Sequence, residues 1–543
     1  GAASGAGGTD PGTGATSGAG GTDPGTGATS GTGGTDPGTG GTDPGTGGTD
    51  TGTGGTKPDG DGDPPPPVCT PPIELYDTSS PTAVIGDGTP ESCTEADLRT
   101  AATAGGAITF DCGSDPVTIE ITQTIELPRD RDTIIDGNGL VTLDAGHRTR
   151  HFYFYHPDWM NNKNRVVLQR LTFVNGEAPA GEVFPQDPGN PECAWGYKEG
   201  SGGAIFIRNG VLHVIDCEFR DNHAALVGPD VGGGAIYVNG VPEVIIVGSR
   251  FINNRAANGG AVAMLWANPQ VYNSHFENNT AEGVGQNYVE PGCPGVGHAD
   301  QGGAGGNSGA MYFDGMNDDG TVYTICGCVF RNNRANELGG ALFRTPNRAM
   351  REMVIENCLF DANTGRMGCV SFIKENDVTV RGTTFMNNRS GVDIEGVEVG
   401  GPLGGLWINQ GSVDIENSTF FNNHPTGLDV EGGSGGALRN VTLADSEPRG
   451  GLALNNCLIF DTSCREDLSG ANNLQWPEGT ACAGGTTFGD PEVGEIGDNG
   501  GPTPTIMPAA GGAAVGVGVD CPSVDQRGQP RNPASCTAGA VEP

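Results

Sequence analysis

From about Phe173 to Phe460 the chain alternates short apolar runs with single and paired glycines, and the pattern returns. Each unit holds a small residue, an outward polar residue, a Phe, an Asn three positions later, and then Gly-Gly-Ala opening another apolar run. The Phe positions are Phe173, Phe219, Phe251, Phe276, Phe330, Phe360, Phe385 and Phe420. The following Asn residues are Asn222, Asn254, Asn279, Asn333, Asn363, Asn388 and Asn423, with the first repeat shifted to Asn175. Gly-Gly-Ala recurs at Gly202-Gly203-Ala204, Gly233-Gly234-Ala235, Gly259-Gly260-Ala261, Gly339-Gly340-Ala341 and Gly435-Gly436-Ala437. Ser308-Gly309-Ala310 and Gly404-Gly405-Leu406 are degenerate copies.

The shortest spacing is 25 residues, from Phe251 to Phe276, and longer ones add insertions. A period of that size with short strands and no helical stripe predicts a solenoid. The expected fold is all-β: a right-handed parallel β-helix of three sheets. Small residues such as Cys217 and Ser249 alternate with outward Glu218 and Arg250, as a strand with one buried face requires. Asn at one point of every coil predicts an amide ladder whose members also tolerate left-handed backbone. The Gly pair predicts a corner where coils approach closely. About ten to twelve coils, on the order of 50–60 Å, are expected at strand spacing.

The ends differ. Residues 1–67 repeat GTDPGTG and contain no Val, Ile, Leu or aromatic residue, which predicts a disordered spacer stalk. Residues 68–146 are expected to form an N-terminal cap and first coils. A short helix is predicted over 91–105, with Thr94 and Asp97 as a capping box and Gly105 as its stop. Cys93 and Cys112 would clip that helix to the first coil. Residues 147–462 would carry the repeats, and 463–543 a C-terminal cap with local disulfides Cys464–Cys482 and Cys521–Cys536.

Charge and cysteines narrow the setting. With 66 acids against 28 bases the formal charge is −38, which disfavours nucleic acid as a partner. No apolar run reaches the ~20 residues of a membrane helix. Fifteen cysteines without a CxxC pair argue against a zinc site and for disulfides in an oxidising compartment. Cys193 and Cys293, in the two long insertions 177–200 and 284–306, are the natural third pair.

These repeats resemble the chlamydial polymorphic outer membrane protein family, whose hallmark pairs Gly-Gly-Ala-Ile with F-x-x-N, as in Gly203-Ala204-Ile205 and Phe219–Asn222. The stretch Cys93-Thr-Glu-Ala-Asp-Leu-Arg99 resembles the Cys-Ser-Leu-Arg-Glu-Ala motif of bacterial surface β-helix proteins. The segments 498–505, 525–528 and 539–542 resemble their terminal choice-of-anchor domain. The resemblance implies an extracellular, bacterial cell-surface location. With no alternating membrane strands near Pro543, anchoring is expected on the N-terminal side, through a lipid near Gly1.

Candidate chemistry is sparse. A lyase of this fold needs a calcium-binding carboxylate cluster beside an Arg or Lys base, and Arg389, Asp393, Glu395 and Glu398 offer it. The loop holding Asp314, Asn317, Asp318 and Asp319 has oxygen ligands at calcium-like spacing but lacks a closing Glu. Otherwise no cofactor is expected. Trp159, Trp195, Tyr197 and Tyr288 lie in or near the insertions and could line one flank for a glycan. The expected function is a non-enzymatic adhesin or structural surface protein that binds a polysaccharide or another surface protein. The alternatives are a polysaccharide lyase or glycoside hydrolase, and a self-associating matrix or filament subunit.

Overall fold

A three-residue strand with one buried face needs a single inward side chain, and Glu218-Phe219-Arg220 supplies one. In the computed structural model Phe219 is fully buried, and its strand pairs in parallel with Thr172–Val174 on one side and Arg250–Ile252 on the other. The structure describes residues 68–179, 181, 199–228, 230–286, 305–315, 322–346, 351–401, 404–432, 435–465 and 468–543. The stalk expected over 1–67 lies outside them, as do Cys193, Cys293, Trp195, Tyr197, Tyr288, Asn317, Asp318 and Asp319.

The same register carries Phe173 through Phe420 into one column. Adjacent rings stack with centroids 4.7–5.0 Å apart, the strand spacing itself. All eight rings are fully buried, each contributing about 1.5–3 kcal/mol against exposure. Ile119 and Leu143 precede them in the column, and Leu443, Ile459, Gln475 and Phe488 follow. The rod therefore runs longer than the ten to twelve coils expected, because Leu and Ile substitute for Phe where the coils shorten.

Two further parallel faces complete the prism. One contains Val211–Ile215, Glu243–Val247 and Pro269–Tyr272; the other contains Ile205–Arg208, Ile236–Asn239, Val262–Leu265 and Met311–Asp314. A short fourth sheet of two-residue strands, Arg255–Ala256, Thr280–Ala281, Arg334–Ala335, Thr364–Gly365 and Arg389–Ser390, fills one corner.

The asparagines build the expected ladder. Asn254 Nδ2 donates to Asn279 Oδ1 at 2.9 Å and to Phe219 O at 3.0 Å, and Asn254 N donates to Asn279 Oδ1 at 3.0 Å. Its neighbours repeat this down to Asn423, which donates to Ser446 Oγ. Two details of the sequence reading change. The left-handed residue is the one before the ladder, as at Asp221, Asn253, Asn278, Asn332, Asn387 and Asn422; the ladder asparagines keep ordinary backbone. Asn175 is no shifted rung, since it occupies that left-handed place with φ 55, and Gly176 N below it donates to Asn222 Oδ1.

The Gly pair divides its labour. The first glycine has positive φ, 69 at Gly202, 67 at Gly233 and 66 at Gly339. A Cβ on the second would overlap the carbonyl of the next coil's glycine, as Gly234 would with Gly260 O.

The N-terminal helix spans Glu95–Ala104 with Thr94 as its cap, and Pro90–Ser92 form a separate 3₁₀ turn. Leu98, Ala101 and Ala102 close the bottom of the core, and Cys93–Cys112 clips the helix to the first coil. The residues before it do something the repeat pattern does not announce. Val68–Ser80 run outside the Val211–Ile215 face, where Asn273 Oδ1 accepts Cys69 N, Gln169 Oε1 accepts Tyr76 N, and Thr78 donates to Asp136. A Cys69–Cys326 disulfide fixes the far end of this strap.

The residues after Asp490 lie along the flank, so the expected C-terminal cap is corrected to a side cover. Thr384 donates to Pro504 O, Asn417 to Val524 O, and Ala540 N to Thr442 Oγ1. Ile506, Ala514 and Ala538 pack on Ala444, Leu458, Phe460 and Leu474. Outward positions are apolar or Thr there, so the sheet needs a cover. Cys464–Cys482 and Cys521–Cys536 are both bonded.

His151 sits wholly inside the prism, its Nε2 2.9 Å from Leu143 O and its ring edge-on to Phe173. Burial lowers its pKa to about 4. The folded protein thus holds the neutral imidazole while the unfolded chain takes a proton near pH 6.5. The penalty is absent above pH 6.5, grows as pH falls towards 4, and reaches about 3 kcal/mol. His151→Gln should flatten this part of the urea stability profile between pH 7.5 and 4.5 relative to the native chain.

Candidate ligand-binding face

Strands Phe152–Tyr155, Ile205–Arg208 and Ile236–Asn239 pair in register, so alternate residues form rows. Phe152, Ile205 and Ile236 point inward; Tyr153, Phe206 and Tyr237 form an outward aromatic row. Tyr153 stacks on Phe206 at 5.1 Å and Phe206 on Tyr237 at 5.4 Å. Further along, Tyr312 stacks on Phe343 at 5.4 Å, and Trp407 continues the row. Most of it is covered: Phe206, Tyr237 and Tyr312 are at most 1% exposed. Arg150 lies over Tyr153 and Phe206 and donates to Gly202 O and Ser201 O, and burial lowers its pKa to about 10.

The row opens at its edge. Trp159 is 41% exposed and rests against Gly240, where a Cβ would stand 2.7 Å from the indole. The loop before it is pinned by Asn209, which donates to His156 O at 2.6 Å and accepts Met160 N. The Arg208 guanidinium lies 5.2 Å over Tyr155 and 5.5 Å over Trp159. Arg129 also lies over the Tyr155 ring, at 6.0 Å, its backbone carbonyl accepting from Asn162 and Asn164. Two aromatic faces and two cations thus share one patch on a protein of net charge −38. Flat rings take the apolar faces of sugars, and guanidinium forks take carboxylate or sulfate.

The lyase candidates divide. Arg389 and Glu398 pair at 2.8 Å and line an open groove of about 470 Å³ with Ser390, Val392, His424 and Pro425. Asp393 faces its own turn, where Oδ1 accepts Glu395 N and Val397 N, and neither Asp393 nor Glu395 lines the groove. Among the described residues no three carboxylates converge to hold calcium. Asp314 accepts the Tyr312 hydroxyl at 2.6 Å. Burial and the neighbouring Asp314 hold the Asp230 carboxyl well above the usual range. Arg129, Arg208, Asp230 and the partner stacking of Tyr155 escaped the sequence reading because they come from separate coils. The one signal was the outward slot beside each inward strand residue.

The free cysteines among the described residues are Cys217, Cys328, Cys358, Cys369 and Cys457, all buried. Burial pushes Cys217 and Cys457 up to about 12, so these thiols are inert fillers of the small-residue column. No described helix is long and apolar enough to cross a membrane.

A family model for the right-handed β-helix region matches residues 303–456. No curated protein matches the chain. With its parallel ladders, the chain is a right-handed parallel β-helix protein carrying disulfide bonds.

Proposed function

We propose that this chain is a non-enzymatic surface protein, a rigid rod that binds acidic polysaccharide through the patch of Arg129, Tyr155, Trp159 and Arg208. The observation that carries the reading is the stacking of Arg208 over both Tyr155 and exposed Trp159. Exposed ring surface next to guanidinium is costly to leave bare and useful to a sugar acid. Disulfides at both ends of the rod, Cys93–Cys112 and Cys464–Cys482, suit an extracellular location.

The test is binding of immobilised uronate and sulfated polysaccharides to the full chain. Trp159→Ala and Arg208→Ala should each cost at least about 1–2 kcal/mol of affinity, as central contacts do. Unchanged binding in both variants, or unsaturated product released from a uronate polymer in calcium, would overturn the reading. A second reading, glycoside hydrolysis, draws support from the Asp230 carboxyl, held well above the usual carboxylate range by burial and by Asp314, as a general acid requires. Reducing-sugar release abolished by Asp230→Asn would favour it.

A further inference from the structure

Four residues after each member of the Phe column the chain turns outward at the corner filled by the fourth sheet. His223 and Arg255 take that place after Phe219 and Phe251, and Glu177 precedes them after Phe173, joined by the bridges Glu177–His223 and His223–Arg255. Leu143 stands in the column below Phe173, and four residues after it is His147. Three successive coils thus present His147, Glu177 and His223 in one row.

Their ligand atoms converge. Glu177 Oε2 lies 3.7 Å from His147 Nδ1 and 3.4 Å from His223 Nδ1. The imidazoles stack with centroids 4.5 Å apart and planes 22° apart, and one ligand atom from each residue lies within 4.8 Å of the other two. Imidazole nitrogen and carboxylate oxygen are the donor types that ligate such an ion. The other charges near His147 are Asp221 and Arg255, and Arg255 is engaged with Glu282 at 3.5 Å.

Donors about 2.0–2.2 Å from a tetrahedral ion stand about 3.3–3.6 Å apart, so the two His–Glu pairs need shifts of only a few tenths of an ångström, while the two imidazole nitrogens, within 4.8 Å of each other, draw together by up to about 1.5 Å through side-chain rotation. Two imidazoles and one carboxylate select borderline transition metals over calcium or magnesium, which prefer all-oxygen shells. We infer that His147, Glu177 and His223 form a divalent transition-metal site, zinc foremost, that staples three successive coils and leaves a coordination position open to water. The absence of CxxC pairs does not bear on it, since the site uses no cysteine.

The experiment is titration of the chelator-treated full chain with Zn²⁺ and with Co²⁺ at pH 7.5. One equivalent should bind, Co²⁺ should develop the visible absorption of a low-coordinate nitrogen–oxygen site, and excess Ca²⁺ should not displace it. His147→Ala with His223→Ala should weaken binding by at least about a hundredfold, more than loss of an outer hydrogen-bond partner costs. His424→Ala, in the same row four residues after Phe420, should leave affinity unchanged. Circular dichroism checks the fold, and if the double variant unfolds, the near-isosteric Glu177→Gln should weaken binding at least tenfold. No uptake by the native chain, or equal affinity in native and site variants, would overturn the assignment.

Discussion

Gly260→Ala should prevent the native rod from forming. A Cβ there would overlap Gly309 O and stand 2.5 Å from Thr280 N and 2.6 Å from Thr280 O. Every one of these atoms is backbone in a neighbouring coil, so no side chain can swing away. Relief requires parting the coils, which breaks Gly260 N to Ser308 O at 3.0 Å and Thr280 N to Asn254 O at 2.9 Å. The expected cost exceeds about 4–5 kcal/mol, the range reserved for substitutions the fold cannot absorb. Soluble yield and thermal unfolding check it. Gly396→Ala is the control: its φ is +81, but nothing lies within 4 Å of the added carbon. That variant should lose only about 1–2 kcal/mol, the strain of left-handed alanine.

Asn279→Ala should be the most damaging change among polar side chains. Asn279 Nδ2 donates to Phe251 O at 2.9 Å and Asn333 Oδ1 at 3.0 Å, while its Oδ1 accepts Asn254 N and Asn254 Nδ2. Removing it strands groups on both adjacent coils in a dry interior, each costing about 1–3 kcal/mol. A loss of about 3–5 kcal/mol is expected from urea unfolding, below the simple sum because water enters the gap. Asn253→Ala, one residue before the ladder and exposed, should lose about 1 kcal/mol through its left-handed backbone alone. Equal losses at Asn253 and Asn279 would mean that the ladder contributes nothing beyond turn geometry.

The fold was legible because identical side chains recur wherever identical environments do. Phe, Asn and Gly-Gly each answer one fixed demand per coil: a core layer, a buried amide partner, and a carbonyl pressed against the backbone. Contacts made once left no such trace. Nothing near Cys69 signals Cys326, 257 residues away, and the strap's three hydrogen bonds with Asn273 and two with Gln169 use side chains that no repeat announces. Arg344 lies in an inward row beside Val238, Met264 and Phe313, yet its guanidinium stacks on Tyr323 at 4.7 Å inside the core. The aromatic patch was half visible, through Trp159 and the alternation of 151–155. Its cations were not, because a solenoid brings Arg129 and Arg208 together across coils. His147 could have been read from the sequence once Leu143 was seen to stand in for a Phe.

The account depends on coils stacking in register across long sequence separations, and cross-linking tests that directly. Glu277 and Arg331 are register partners on adjacent strands, and Arg220 is a further two coils from Glu277 through Ile252. Cysteines placed at 277 and 331 should join under mild oxidation, with the linked peptides recovered by mass mapping, while cysteines at 220 and 277 should stay unlinked. Efficient linkage of the second pair, or none of the first in a folded chain, would contradict the stacked helix.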